Sequence, residues 1–195
     1  MSWGGTEHGQ LGRGVQTCAC RPGEVVLPCG QSIIAVATGS HHALAVNACG
    51  KVLAWGRVGS FGPPTKDTAG ASTDSCRRAS FVPFFCSERV IAVAAGSAHS
   101  VVLTALGAVW SWEHRRGAHL SKLVTECAVS VSAASNPRGG DSQPHTGILT
   151  RRGHLYLSGS WYSDRTMTAG EPPKRLASNV PCAVLSSGSG EVAYR

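Results

Sequence analysis

Three histidines of this 195-residue sequence stand in the same surroundings and have the chemistry of metal ligands. His42, His99 and His145 are each followed by a glycine eight residues later. Zinc needs ligands that converge on one point, whereas residues that recur once per repeated unit are held apart by the spacing of the units. We therefore predict a structural role, in which each half-buried imidazole hydrogen-bonds a neighbouring loop or the backbone of a neighbouring unit.

The eight cysteines carry no metal or redox motif. None forms a Cys-x-x-Cys pair, the basic spacing of zinc ribbons and thioredoxin-like sites. Residues 1–5 lack the basic start and apolar stretch of a secretory signal, and no apolar run is long enough to span a bilayer. We therefore expect reduced thiols in a cytoplasmic or nuclear protein that is not secreted and has no membrane partner.

Motifs for catalysis are missing from the sequence. Neither a Gly-x-Ser-x-Gly elbow nor a His-Glu-x-x-His motif occurs, so a hydrolase has no motif support. The glycine-rich segment 4–14 lacks the Gly-Lys-Ser/Thr ending of a phosphate-binding loop. The sequence predicts no catalytic residue, no bound cofactor and no metal ion.

Positive charge is the remaining chemical signal. Lysine and arginine outnumber aspartate and glutamate by 18 to 11, which gives a net charge of +7. Basic pairs fall in expected turns, and solvated loop tips explain them most simply. The alternative is an electropositive face that contacts phosphate, an acidic histone surface or an acidic protein. The pairs are Arg77-Arg78, Arg115-Arg116, Arg151-Arg152 and Lys174-Arg175.

The elements that must position these side chains repeat at an offset of 57 residues. Between segments 34–56 and 91–113, 11 of 23 positions are identical, without a gap. A repeat of this length indicates an array of supersecondary units rather than one irregular core. The positions that recur are Trp3, Gly39, His42, Gly50, Trp55, Gly96, His99, Gly107, Trp112, His145 and Gly153. We predict that the glycines stand where the backbone needs a positive φ or where two strands approach closely. Trp55 and Trp112 are predicted to pack between units.

Each unit is predicted to contain four short strands, with turn signals every 8–12 residues, as in all-β proteins. The predicted strands are 25–27, 33–37, 42–46 and 52–55 in the first unit, and 81–84, 90–94, 99–103 and 109–112 in the second. Segment 63–78 is predicted to be an exposed loop. A four-stranded unit cannot bury both faces alone, and radial stacking of such units makes a β-propeller.

The predicted propeller domain divides into four segments. Residues 1–56 hold the last strand of one blade and repeat 1, 57–113 repeat 2, 114–159 a degenerate repeat 3, and 160–195 a partial repeat 4. This phasing permits two structures. One is a four-blade ring closed by the N-terminal strand; the other, which we favour, is an open arc of about three complete blades with parts of two more.

The spaced elements resemble the regulator-of-chromosome-condensation repeat family. Trp3-Gly4, segment 9–14, segment 39–42 and Gly50 follow that repeat's pattern in order, and segment 96–99 with Gly107 and Trp112 follows it again. The resemblance implies a β-propeller. The family's usual ring has seven blades, so this sequence supplies only part of one.

The resemblance implies a non-catalytic, regulatory module whose loops bind a protein partner. It also brings two alternatives: guanine-nucleotide exchange on a Ran-type small GTPase, and attachment to chromatin or nucleic acid through basic loops. Arg115 and Arg116 are the predicted partner contacts, because exposed charge stands there in place of the family's glycine turn. No residue is predicted to be catalytic under any of these three functions.

Overall fold

The computed structural model describes residues 1–14, 19–58, 76–114, 120–124, 127–135, 144–159, 174–177, 185–187 and 192–194. Within them the chain forms strands and one short 3-10 turn, Pro83–Cys86. No helix in these residues is long and apolar enough to cross a membrane. The sequence prediction of an all-β propeller segment is therefore confirmed at the level of fold class.

Three four-stranded antiparallel sheets form complete blades. Blade 1 comprises β3 (Ile33–Thr38), β4 (His42–Asn47), β5 (Val52–Gly56) and β6 (Cys76–Phe81). Blade 2 comprises β7 (Val90–Ala95), β8 (His99–Thr104), β9 (Val109–Glu113) and β10 (Leu120–Val124). Blade 3 comprises β11 (Ala128–Ser135), β12 (Pro144–Thr150), β13 (Leu155–Gly159) and β14 (Lys174–Ala177).

Two further sheets have two strands each. We call β1 (Ser2–Gly4) and β2 (Ala19–Gly23) the leading half-blade, and β15 (Leu185–Ser187) and β16 (Val192–Tyr194) the trailing half-blade. The two half-blades belong to separate sheets, so the described strands do not close a four-blade ring. The open arc is the arrangement that the structure adopts.

The hairpin between the second and third strands of each blade depends on one glycine. Gly50, Gly107 and Gly153 have φ angles of +77°, +80° and +74°, in the left-handed region that favours glycine. A β-carbon on Gly107 would also meet the backbone of Cys127 at 2.7 Å. This is the geometric reason for the glycine that the sequence repeats eight residues after each histidine.

The core is divided into layers between successive blades. One buried cluster joins blades 1 and 2 and includes Leu44, Val52, Phe85 and Val102. Another joins blades 2 and 3 through Val101, Leu103, Ala133 and Ile148 and their neighbours. A third packs Leu53 and Trp55 of blade 1 against Val25 and Leu27, which follow the leading half-blade. Burying each large aliphatic side chain contributes about 1.5–3 kcal/mol, so blade stacking stabilises the arc.

Two of the predicted strands are absent from the structure. Segment 25–27 is not a strand, and segment 81–84 is not one either, because Phe81 ends β6 and Pro83–Cys86 forms the 3-10 turn. The predicted loop 63–78 is also wrong over its last three residues, which lie in β6; its residues 63–75 lie outside the described residues. β6 reads Cys-Arg-Arg-Ala-Ser-Phe, and an edge strand with one buried face needs few apolar residues.

Candidate functional site

The repeated histidines lie at the start of the second strand of each blade. His42 opens β4, His99 opens β8, and His145 is the second residue of β12. Their exposed fractions are 1%, 1% and 8%, so the imidazoles are more deeply buried than the half-buried state that the sequence indicated. A neutral polar ring at this depth requires hydrogen-bond partners.

Those partners are hydroxyl groups of the next blade. His42 Nε2 lies 3.1 Å from Ser100 Oγ in blade 2, and His99 Nε2 lies 3.3 Å from Thr146 Oγ1 in blade 3. Ser100 and Thr146 each follow the repeat histidine of their own blade. The first two repeat histidines therefore link blade 1 to blade 2 and blade 2 to blade 3, through hydroxyl side chains that the repeat pattern did not reveal.

A fourth imidazole joins this link. His114 follows β9, is 6% exposed, and places Nε2 3.0 Å from the same Ser100 Oγ. Its ring centroid is 4.2 Å from that of His42. Because the Ser100 hydroxyl has one proton to donate, it donates to one imidazole and accepts from the other. One of the two rings therefore carries its proton on Nε2. We refer to His42, His99, His114, Ser100 and Thr146 as the histidine network.

Burial keeps the network uncharged at neutral pH. Desolvation, reinforced by the neighbouring imidazoles, lowers the pKa of His42 from 6.5 to about 3, and the pKa of His99 shifts to about 3 for the same reasons. Burial also lowers the pKa of His114 to about 4. A protonated imidazole in the network would be shielded from water, which makes its positive charge costly, and a neighbouring protonated imidazole would repel it.

We propose that the network contributes to stability rather than to chemistry. Its histidines come from two neighbouring blades, His42 from blade 1 and His99 and His114 from blade 2, and no group of three or more side chains that could hold a metal ion forms within the described residues. The hydrogen bonds of Ser100 and Thr146 are taken up by imidazoles inside the inter-blade layers. A hydroxyl so placed has no exposed face toward a substrate, since both residues are buried.

We predict that Ser100→Ala lowers the free energy of unfolding by about 2–3 kcal/mol, because it leaves two buried imidazole nitrogens without their shared partner. Ser80→Ala is the matched control: Ser80 is exposed and hydrogen-bonds the Arg78 carbonyl at 3.4 Å, so its loss should change stability by about 0.5 kcal/mol or less. Urea unfolding of both variants measures the difference. Equal stabilities would contradict a structural role for the network.

The repeated tryptophans occupy the blade interfaces. Trp55 and Trp112 are 6% and 2% exposed, and the Trp55 indole donates a hydrogen bond to the Gln10 carbonyl at 2.9 Å. Gly12 has a φ of +65°, and a β-carbon there would lie 2.9 Å from the Trp55 ring. Trp3, at the corresponding position of the leading half-blade, is 64% exposed.

Three of the exposed arginines that the structure describes, Arg21, Arg77 and Arg78, lie where the leading half-blade meets blade 1. Arg13 forms a β-bridge with Arg78, and the amide of Gly14 donates to the Arg77 carbonyl at 2.9 Å. These contacts join the turn after β1 to β6. Arg21 on β2 is tied to the same place by the guanidinium of Arg13, which donates to the Arg21 carbonyl at 2.9 Å.

Arg13 has a positioning role. Its guanidinium also donates to the hydroxyl and the carbonyl of Ser2 on β1, so its donors are directed at the protein itself. Arg21, Arg77 and Arg78 are exposed. We call Arg21, Arg77 and Arg78 the arginine edge; it presents three guanidinium groups from two neighbouring sheets.

The residues predicted for partner binding from the sequence, Arg115 and Arg116, lie outside the described residues. Arg151 and Arg152 are exposed on the turn between β12 and β13. Arg77 and Arg78 were identified from the sequence as a basic pair, whereas Arg21 was not associated with them. The signal available was the 57-residue offset itself, which aligns Arg21 on β2 with Arg78 on β6.

Comparison with protein families supports the repeat assignment. The profile of the "Regulator of chromosome condensation (RCC1) repeat" matches residues 2–46. The human E3 ubiquitin-protein ligase HERC2 is 32% identical over 111 residues, which cover 57% of this chain and 2% of that protein. The RCC1 domain-containing protein RUG3, mitochondrial, of Arabidopsis thaliana is 27% identical over 111 residues, which cover 57% of this chain and 24% of that protein.

Solved structures show the same fold. Prp20p from Saccharomyces cerevisiae, whose binding to Gsp1p and histones has been studied, matches with a TM-score of 0.69 and 19% identity over 95% of this chain and 48% of that chain. Human WBSCR16 matches with a TM-score of 0.63 and 14% identity over 89% and 46%. The chain therefore spans about half the length of the propellers that it resembles.

Proposed function

We propose that this chain, an open β-propeller segment of the regulator-of-chromosome-condensation repeat family, is a non-catalytic module that binds an acidic protein partner. The observation that carries the proposal is the arginine edge. Arg21, Arg77 and Arg78 are exposed on β2 and β6, the outer strands of two successive sheets, while the buried imidazoles are hydrogen-bonded within the inter-blade layers. The guanidinium groups of the arginine edge are therefore the groups available to bind a negatively charged partner.

The scaffold suits this role physically. Arginine recognises carboxylates through parallel N–H donors in a fixed plane. Binding groups held on strands are positioned more precisely than groups held on loops. Arg13 donates to the Arg21 carbonyl on β2 and forms a β-bridge with Arg78 on β6, so the two strands that carry the arginine edge are held together. A net charge of +7 also favours encounter with acidic partners.

Two other functions have specific support and remain as alternatives. Prp20p, which has this fold, has been studied for binding to Gsp1p and histones. Guanine-nucleotide exchange on a Ran-type GTPase is the first alternative, in which the propeller would stabilise the empty GTPase without making or breaking bonds. Attachment to chromatin or nucleic acid is the second. A nuclear or cytoplasmic location, in which Cys29, Cys49 and Cys127 stay free thiols, is part of the proposal.

We predict that Arg77→Ala/Arg78→Ala weakens binding of the module's protein partner about 30-fold or more, because two charge-assisted contacts of about 1–1.5 kcal/mol each are lost. Arg151→Ala/Arg152→Ala is the matched control, since it removes the same charge from the turn of blade 3. Quantitative affinity capture from cell extract with each variant measures the difference. Arg115→Ala/Arg116→Ala tests the sequence prediction in the same series.

The three functions give different results in that series. A protein-binding module keeps its partner across moderate salt, whereas nucleic-acid attachment through six to ten phosphates weakens about 10³–10⁵-fold between 50 and 200 mM salt. Exchange activity would appear as accelerated GDP release from a Ran-type GTPase. Partner binding that is equally strong in all three double variants would overturn the proposal.

A further inference from the structure

Two apolar side chains are exposed to solvent in the structure, although the side chains at the same repeat positions in other blades are packed against a neighbouring blade. Trp3 is 64% exposed, whereas Trp55 and Trp112 are 6% and 2% exposed. Val36 on β3 is 68% exposed, whereas Val93, its equivalent on β7, packs against the core between blades 1 and 2. Both uncovered side chains are apolar and lie at places where the repeat normally has a neighbouring sheet.

The open face of blade 1 points toward the leading half-blade. Val36 pairs with Ala45 across β3 and β4, and cross-strand partners share a face. Ala45 belongs to the cluster that packs toward the leading half-blade, together with Leu53 and Trp55. That half-blade covers Trp55 but leaves Val36 open, because it contains β1 and β2 only.

The strand pairing identifies which two strands the leading half-blade contains. Gly4 pairs with Ala19 as Gly56 pairs with Cys76 in blade 1, and Ala19 and Cys76 are 57 residues apart. β1 and β2 are therefore the third and fourth strands of a blade. The face over Val36 is where the first and second strands of that blade belong.

The trailing half-blade contains those two strands. Ser187 pairs with Val192 as Thr38 pairs with Ala43, and Leu185 pairs with Tyr194 as Val36 pairs with Ala45. β15 and β16 are therefore the first and second strands of a blade. The two half-blades are complementary, and they form separate sheets in the single chain.

We propose that a second copy of this chain covers the open face by head-to-tail pairing, in which β16 of one copy joins β1 of the other. By the pairing of β4 with β5, the expected register places Val192 of one copy opposite Trp3 of the other and Ala193 opposite Ser2. Two copies would form eight blades: six from the three complete sheets of each copy and two composite blades. Eight blades lie within the range of known propellers.

Three physical arguments favour a second copy as the occupant. The same contact made twice around a two-fold axis closes a ring and leaves no open end. Pairing β16 with β1 satisfies two strand edges that would otherwise invite aggregation. The length also fits: one chain covers 46–48% of the solved propellers it resembles, so two chains supply enough strands for one ring.

The test is the solution mass of the 195-residue chain, measured by sedimentation at micromolar concentrations. We expect about twice the 20.2 kDa of one chain. Val36→Lys should halve that mass without unfolding the monomer, because Val36 is already 68% exposed and only the composite interface would have to desolvate the charge. Leu106→Lys is the matched control, since Leu106 is an apolar residue 84% exposed on the turn between β8 and β9; it should stay dimeric.

Tryptophan fluorescence gives a second readout that does not depend on a surface charge. In the ring, Trp3 would face blade 3 of the other copy, as Trp55 faces the leading half-blade, so its emission should shift to the blue as the copies associate. Comparison with Trp3→Phe isolates that contribution. A 20.2 kDa species at every concentration, a dimer that Val36→Lys leaves intact, or open-ended larger assemblies would each overturn the proposal. None of these results bears on the arginine edge, whose test measures partner binding.

Discussion

Between pH 6.5 and 4, the free energy of unfolding of this protein is expected to fall by about 4 kcal/mol for each pH unit. Three buried imidazoles cause the effect. Burial, together with the neighbouring imidazoles or, for His114, the guanidinium of Arg57, lowers the pKa of His42 and His99 to about 3 and that of His114 to about 4. Each contributes about 1.4 kcal/mol per pH unit in the interval where only the unfolded chain is protonated.

The sign follows from the direction of these pKa shifts. A histidine whose pKa is lowered on folding binds its proton more readily in the unfolded chain, so acid favours unfolding. The stabilisation is complete above pH 6.5 and is lost as the pH falls toward the folded-state values. Because domains are stabilised by about 5–15 kcal/mol in total, we expect acid unfolding well above pH 4.

Urea unfolding at a series of pH values tests this prediction. His114→Gln should remove about one third of the pH slope, since glutamine keeps a polar group near Ser100 but does not titrate. An unchanged dependence on urea concentration would show that the same surface is exposed at each pH. A stability that stays flat from pH 6.5 to 4 would contradict the buried, neutral state of the network.

The repeat explains how much of the fold could be predicted from the sequence. Inner strands such as β3 and β7 carry the apolar residues that recur at 57 residues, so their number and order were predictable. The outer strand β6 was not predictable, because Ala79 is the buried residue among its described side chains and its polar residues resemble a loop. Segment 81–84 failed for the opposite reason: its apolar residues resemble a strand, but Phe81 ends β6, Val82 enters the core, and Pro83 begins a 3-10 turn.

The candidate site was predictable only in part, because its key contacts lie between units. The sequence identified His42 and His99 as repeated, but a repeat pattern carries no information about which residue of the next blade each one reaches. Ser100 and Thr146 emerge as partners only after the sheets are stacked. His114 replaces Arg57 at the repeat offset, and only its buried position reveals that the change adds a member to the network.

A methyl group added at Gly39 is expected to destabilise the protein by about 3 kcal/mol. The φ of Gly39 lies outside the left-handed region, so Gly39→Ala imposes no backbone strain and its cost is steric. The new β-carbon would lie 2.6 Å from His42 Nδ1 and would clash with the carbonyl oxygen of Gly96. That carbonyl belongs to blade 2, so relief requires two sheets to move apart.

Gly30→Ala is the matched control for that steric cost. Gly30 has a φ of +74° and no atom within 4 Å of the added β-carbon, so its cost is backbone strain of about 1–2 kcal/mol. If close packing between blades decides stability, Gly39→Ala is the more damaging change even though alanine fits its backbone conformation better. Urea unfolding of both variants at pH 7 compares the two costs. If Gly30→Ala lowers the free energy of unfolding more than Gly39→Ala does, blades 1 and 2 tolerate separation at Gly39. The contact between His42 and Ser100 then does not depend on a glycine at position 39.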